Sequence, residues 1–430
     1  MEMIRSLLDF ALESRRLALP AAVLLFAGAL YAQGPVKITL DQAVQMAHDH
    51  NHSLKAARTT IQQDQAQEIT ANLRPNPTLS ADSQFLPIFQ PGSFTNNYVN
   101  EISQFDVGIS YLFERGGKRQ RRLEAAQDAT AVTRSTVDDN ERTLAFSVAT
   151  QFVNVQLAES TLDLALQDVK SFQNTVDISE ARYQAGDMSE ADYLKIELQL
   201  LQFQSDVANA RMSRATSLVS LREFLGYESV PADFDVAGDL EYQPLNLKEE
   251  DLAAMALKQR ADLRAAQQGI TAAQSQIKLA QANGKKDFTG AVDYSHVSGY
   301  SSLSIFGSID LPIFDRNQGE IARTRYALTQ AQELELAAAE TVVGDVNTAY
   351  ETLHANDEIM VLYRGGYLEE SEKSRDISEY AYKRGAASLL DFLDAERSYR
   401  AIQLAYRQAL AAYALALEQM REAVGTRNLP

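Results

Sequence analysis

The chain is written twice. Tyr183-Gln184-Ala185-Gly186, followed by Ser189 and Asp192, returns 199 residues later as Tyr382-Lys383-Arg384-Gly385, followed by Ser388 and Asp391. The same offset pairs Leu225-Gly226 with Val424-Gly425. Leu112-Phe113-Glu114-Arg115 matches Ile313-Phe314-Asp315-Arg316 at 201, and Met46-Ala47 with Leu54 matches Met255-Ala256 with Leu263 at 209. Small shifts between blocks mean that whole units were duplicated. A period of ~200 residues is too long for a solenoid. The expectation is two equivalent halves, residues 33–226 and 247–430, joined by a linker at 227–246.

The first half predicts a helix over about Leu40–Leu73, with Thr39 as N-cap and Gln42 three residues on. Arg74-Pro75-Asn76-Pro77 stops it. Thr78–Phe85 then alternates apolar and polar residues, a polar loop runs from Leu86 to about Gln104, and Phe105–Phe113 alternates again. Phe105, Val107, Ile109, Tyr111 and Phe113 share one face of that second strand, the period of two of a half-buried or lipid-facing strand. Each run has the length of a membrane-spanning strand. From Lys118 to Arg182 there is neither proline nor glycine. At 1.5 Å per residue such a helix is a rod of ~100 Å. Gly186 breaks it, and a second rod runs over Ser189–Leu225. The second half repeats the order: a helix over Leu247–Asn283, strands at Asp287–Ser295 and Leu303–Ile313, and rods over Gln318–Lys383 and Ser388–Ala423. Phe306 interrupts the last strand's alternation.

Four strands per chain cannot close a membrane barrel, whose smallest form has about eight, and open edges are not tolerated in lipid. Membrane insertion therefore demands oligomerisation, and three copies give 12 strands. The fold class expected is mainly α with a β-barrel: four transmembrane strands and long coiled-coil helices per protomer. Three protomers form a 12-stranded barrel continuous with a hollow α-helical barrel. The competing reading is a periplasmic coiled-coil adaptor or scaffold, which has no need of amphipathic strand pairs in both halves.

The net charge of −18 argues against nucleic-acid binding, which requires Lys and Arg for the phosphates. The absence of cysteine excludes disulfides, thiolate metal sites and a lipidated N-terminal cysteine. Arg15-Arg16 before the apolar run Leu17–Leu30 reads as a secretory signal over residues 1–32, too short to span a bilayer. No nucleophile–base pair, phosphate loop or repeated metal motif appears, so neither an enzyme nor a cofactor is expected.

The arrangement resembles the TolC-like outer-membrane efflux protein family over nearly all of the mature chain. Three blocks carry the resemblance: Phe113-Glu114-Arg115-Gly116-Gly117-Lys118-Arg119, Leu311-Pro312-Ile313-Phe314-Asp315-Arg316-Asn317-Gln318-Gly319, and the doubled Tyr-x-x-Gly-x-x-Ser-x-x-Asp pattern. The first two resemble the CzcC-type heavy-metal efflux branch. The resemblance implies a homotrimeric exit duct, passive toward small solutes or metal ions, seated in outer-membrane lipid with a large periplasmic portion. Its implied partners are a periplasmic adaptor protein and an inner-membrane, RND-type pump.

By that resemblance Gly186, Ser189, Asp192, Tyr382, Gly385 and Ser388 form the periplasmic tip where the adaptor docks. Asp192 and Tyr382 enter a link that holds the tip closed, with Arg384 in place of the family's arginine, which falls near Ala387. Asp391 and Asp394 lie three apart on one helical face. The bland reading is favourable first-turn acids. The functional one is a pore constriction: the resemblance implies that two acids at this spacing after the tip glycine face the lumen, where threefold symmetry turns the pair into stacked carboxylate rings that favour cations. Glu197 and Glu396 read as solvated positions. His48 and His52, at i and i+4 of the first helix, have chelating spacing, set against a plain polar helix end. Phe85, Phe105 and Phe113 suit an interfacial aromatic girdle.

Overall fold

The computed structural model describes residues 36–245 and 247–429, so the expected signal segment lies outside the described residues. The first half holds β1 (Lys37–Ile38), α1 (Leu40–His50), α2 (His52–Ala71), β2 (Thr78–Gln84), α3 (Asn96–Glu101), β3 (Gln104–Phe113), α4 (Lys118–Gln184) and α5 (Glu190–Leu225). The linker holds β4 (Asp235–Val236), and the second half holds α6 (Glu249–Gln259), α7 (Ala261–Asn283), β5 (Phe288–Val297), β6 (Tyr300–Ile309), α8 (Gln318–Leu362), α9 (Leu368–Lys383) and α10 (Leu389–Val424). None of the described helices is long and apolar enough to cross a membrane.

Local chemistry explains where these elements start and stop. Thr39 and Gln42 form a reciprocal capping box: the Thr39 N–H donates to Gln42 Oε1 at 2.9 Å, and the Gln42 N–H to Thr39 Oγ1 at 3.3 Å. The single helix expected over Leu40–Leu73 is two, because Asn51 takes extended angles and its side chain accepts from the Leu54 N–H. The second half breaks at the equivalent position, Arg260, also extended. The expected rod over Gln318–Lys383 is interrupted too. A π-helical turn at Tyr363–Tyr367 contains Gly366 at φ 116°, which ends α8 and starts α9. In the first half α4 runs unbroken for 67 residues.

The chain divides into two compact units, each drawing on both halves. One takes the described residues up to His50, with Val148–Glu241 and Ser374–Ala411. The other takes Asn51–Ser147, Tyr242–Lys373 and the chain from Ala412 on. In the first unit β1 pairs with β4 in parallel. In the second, α8 packs along α6 and α7, burying Val342, Val346, Ala349 and Met360. Arg260 is also buried there, its guanidinium bonded to Asp262 at 2.6 Å and Asp345 at 2.7 Å.

The second unit carries one antiparallel sheet in the order β2-β3-β5-β6. Its second pair is shifted from expectation. A turn at Ser298-Gly299 joins β5 directly to β6, so Leu311 and Ile313 fall outside the strand. The register sorts the side chains into rows. Leu79, Ile109, Val292 and Ile305 align across all four strands, and Ala81, Val107, Tyr294 and Leu303 form the next row on the same face. Between them, on the opposite face, run Ser80, Gly108, Asp293 and Ser304, then Asp82, Asp106, Ser295 and Ser302. Phe306 belongs to this polar face. The apolar rows are exposed, Ile305 at 80 % and Leu79 at 74 %. Phe105 lies at one end of the apolar face, and Phe113 lies beside Phe288 at the other with ring centroids 6.0 Å apart. Phe85 follows β2.

Candidate functional site: the helix tips

Both tips lie in the first unit and are built alike. α4 ends with Gly186 at φ 82°; the Asp187 N–H donates to the Arg182 carbonyl and the Gly186 N–H to that of Tyr183. At the end of α9, Gly385 has φ 73°, with the same bonds from Ala386 to Ala381 and from Gly385 to Tyr382. This is the Schellman closure, which wants a left-handed residue and therefore glycine. Three residues later a serine caps the next helix. The Asp192 N–H donates to Ser189 Oγ at 3.2 Å and the Asp391 N–H to Ser388 Oγ at 3.2 Å. The Asp391 carboxylate accepts in return from the Ser388 hydroxyl at 2.7 Å and backbone N–H at 3.2 Å.

The duplicated tyrosine stacks on the ring ten residues after it in both copies. Tyr183 lies on Tyr193, with centroids 5.1 Å apart, and Tyr382 on Phe392 at 5.3 Å. The first pair is partly exposed, whereas the second is sealed into a core with Phe172, Val176, Ile196, Phe203 and Leu389. Phe172 packs edge-on to Phe203 at 4.9 Å and parallel to Phe392 at 6.2 Å. Such pairs add ~1 kcal/mol each beyond burial. The Tyr382 hydroxyl is buried with no hydrogen-bond partner among the described residues, and the Arg182 guanidinium lies 5.7 Å from its ring centroid.

Behind this core sits an ionic clamp. Arg400 Nε donates to Asp168 at 2.7 Å and Nη2 to Asp206 at 2.8 Å, tying α10 to α4 and α5. Its guanidinium stands 3.9 Å from the Phe203 ring centroid. Burial pushes Asp168 above the usual carboxylate range even against the pull of Arg400. Beside the clamp a cavity of about 490 Å³ opens where Ala165, Ala210 and Ala401 leave room between the three helices.

Several residues singled out from sequence are thereby placed. Gly186, Ser189, Gly385 and Ser388 make the two turns. Asp192 bonds Lys195 at 3.0 Å as well as Ser189, and these hold its carboxyl below the usual range. Tyr382 is core, and within one chain its ring partners are Phe392 and Arg182 rather than Asp192. Arg384 lies over the ring of Tyr380. Asp391 and Asp394 are both exposed on α10, so the pair is free to face an aqueous space.

Two readings change. Glu396 is not a solvated counterpart of Glu197: Glu197 is exposed, whereas Glu396 is 5 % exposed. The histidine pair loses its chelating geometry because Asn51 ends α1 before His52, and no cluster of metal ligands occurs among the described residues. The clamp itself escaped sequence reading. Arg400 and Asp168 are 232 residues apart with no shared motif.

The strand-exit motifs have a structural use in the second unit. Lys118 pairs with Asp287 at 2.7 Å, which also accepts from the Arg115 N–H. Asn317 takes the left-handed conformation, and its side chain donates to the Ala280 carbonyl at 2.7 Å.

Comparison with known proteins matches a family model described as "Outer membrane efflux protein" over residues 43–227 and 252–426. The chain is 24 % identical over 387 residues to the cobalt-zinc-cadmium resistance protein CzcC of Cupriavidus metallidurans, covering 87 % of this chain and 86 % of that one. It is also 24 % identical, over 412 residues, to the pyoverdine export outer membrane protein OpmQ of Pseudomonas putida, covering 88 % and 85 %. The fold superposes on the MtrE outer membrane channel of Neisseria gonorrhoeae with a TM-score of 0.73 at 22 % identity, over 90 % of this chain and 89 % of that one.

Proposed function

The chain belongs to the outer membrane efflux protein family, and from that premise we propose that it works as a homotrimer whose protomers each give four strands to a 12-stranded barrel. It is an outer-membrane efflux channel, the exit component of a tripartite system that also has a periplasmic adaptor and an inner-membrane pump. The proposal rests above all on the in-register rows of the sheet. An apolar face meets lipid, the face with Asp82, Asp106 and Asp293 meets a water-filled lumen, and the open edges of β2 and β6 require partners. In this reading the two halves are equivalent structural repeats. The tips at Gly186 and Gly385 are the periplasmic end, where the adaptor docks and where Asp391 and Asp394 line the narrowest passage. A mass measurement in mild detergent should give three chains, and a monomer or dimer with intact β-structure refutes the assembly.

For cargo we propose divalent metal ions delivered by the pump. The support is the wording of the strand-exit motifs and the similarity to CzcC, set beside an equal identity to a pyoverdine exporter. Deletion should sensitise the host to cobalt, zinc or cadmium. Unchanged metal tolerance with new sensitivity to organic compounds rejects the metals and keeps the channel.

A further inference from the structure

We infer that Glu396 is a proton-binding site that sets how tightly α10 packs at the tip. The duplication supplies the comparison. In the first half, Tyr193 donates its hydroxyl to Glu197 at 2.9 Å, four residues along an exposed face. In the second half, Phe392 stands where Tyr193 does, so the donor is gone, and Glu396 has moved from solvent into the interior. A buried carboxylate that has lost that donor is costly in its charged form. The groups that act on Glu396 are Arg375 and Glu379 from α9, Asp168 from α4 and Arg400 on its own helix. Two are acids. Arg400 is already shared between Asp168 and Asp206, and Arg375 is engaged with Asp376 and the ring of Tyr399. Burial, the largest influence, pushes Glu396 up to about 7, inside the pH range a periplasm meets. Because the side chain is already enclosed within one protomer, a neighbouring copy cannot be what buries it.

The sign follows. With its affinity for the proton raised in the packed state, Glu396 stabilises packing while protonated. That contribution is complete below the ordinary carboxylate range and disappears as pH rises through about 7. The tip is firm in acid and looser at neutral pH. The inference deepens the proposed role of the tip and rests on it for its consequence for flow.

The test is hydrogen exchange, read by mass spectrometry on residues 389–404 of the full-length assembled protein and corrected for intrinsic pH dependence. In the wild type, local opening should grow about tenfold per pH unit from about pH 5 and level off near 7, the signature of one proton released on opening. Glu396→Gln, which mimics the neutral acid, should be flat at the acid-side value. Phe392→Tyr, which restores the donor present in the first half, should level off at lower pH. A flat wild-type profile, or a Gln variant that keeps the wild-type slope, overturns the inference. If the Gln variant fails to assemble, Phe392→Tyr decides, since an unchanged profile there overturns it as well. Exchange reads packing whether or not Asp391 and Asp394 constrict the passage. Failure here is therefore separable from failure of the constriction, which conductance of an Asp391→Ala/Asp394→Ala variant reports.

Discussion

Replacing Arg400 by methionine isolates what a buried charge costs when its partner is removed. The Asp168 side chain is 6 % exposed and Arg400 contacts it at 2.7 Å. Asp206 is more open at 32 %, so its share is worth under ~1 kcal/mol. Loss of the cation over Phe203 costs ~1 kcal/mol. The largest effect is the stranded Asp168 carboxylate, for which breaking a buried pair costs about 3–5 kcal/mol. Together the local loss is ~5 kcal/mol, or several thousandfold more opening of α10 at neutral pH. Asp168 has one escape, which is to take up a proton. Without Arg400 its folded affinity for the proton rises well above the unfolded value, so the deficit should shrink by about 1.4 kcal/mol for each unit the pH falls from 7 toward 5. Hydrogen exchange of α10 at pH 5 and 7 measures this. The double variant Arg400→Met/Asp168→Leu should recover most of the loss at both pH values, because an apolar pair of similar bulk strands no charge. Strictly additive single and double variants, or a deficit that ignores pH, would falsify the claim that the clamp matters through Asp168.

Three further outcomes follow from the geometry. Gly385→Ala adds a Cβ that meets nothing within 4 Å, so its cost is backbone strain alone, about 1–2 kcal/mol, seen as faster exchange at Arg384–Ser388. Gly284→Ala has an ordinary φ, but its Cβ would lie 2.6 Å from the Arg316 carbonyl oxygen, so it should destabilise the strand exit more than Gly385→Ala destabilises the tip, read by limited proteolysis at residues 312–318. Asp391→Ala with Asp394→Ala should weaken cation preference in planar bilayers and leave assembly intact; an unchanged preference leaves Asp391 only its capping bonds to Ser388 and Asp394 a solvated position.

What could be read from the chain divides along physical lines. Strand alternation is local, so the four strands, their apolar faces and even the interruption at Phe306 were visible without a neighbour in view. The tips were visible because glycine, serine and aspartate at fixed spacing carry their own hydrogen-bond geometry. The breaks at Asn51 and Arg260 were not, since neither is proline or glycine. Asn51 signals a cap only weakly, within a polar run of histidines, and Arg260 is held by Asp345, 85 residues away. The Gly365-Gly366 pair did mark the interruption between α8 and α9, but alone it does not distinguish a tolerated helical glycine from a break. The burial of Glu396 is not legible, because it is decided by the packing of α4 and α9 against α10, and its equivalent in the first half is exposed.

The open sheet also has a history that the finished molecule hides. If the proposed trimer is the working form, a newly exported chain that has not yet met its neighbours presents two bare strand edges and rows of exposed isoleucine, leucine and valine to an aqueous compartment. Such edges recruit any extended segment they encounter, so productive pairing competes in time with wrong pairing. Encounters among copies scale with their local concentration, and sticking to unrelated chains scales with everything else present. A cell that makes more of this protein without more escort capacity should gain little channel and much debris. Yield is then governed by the rate of delivery to the membrane rather than by the stability of what is finally built there.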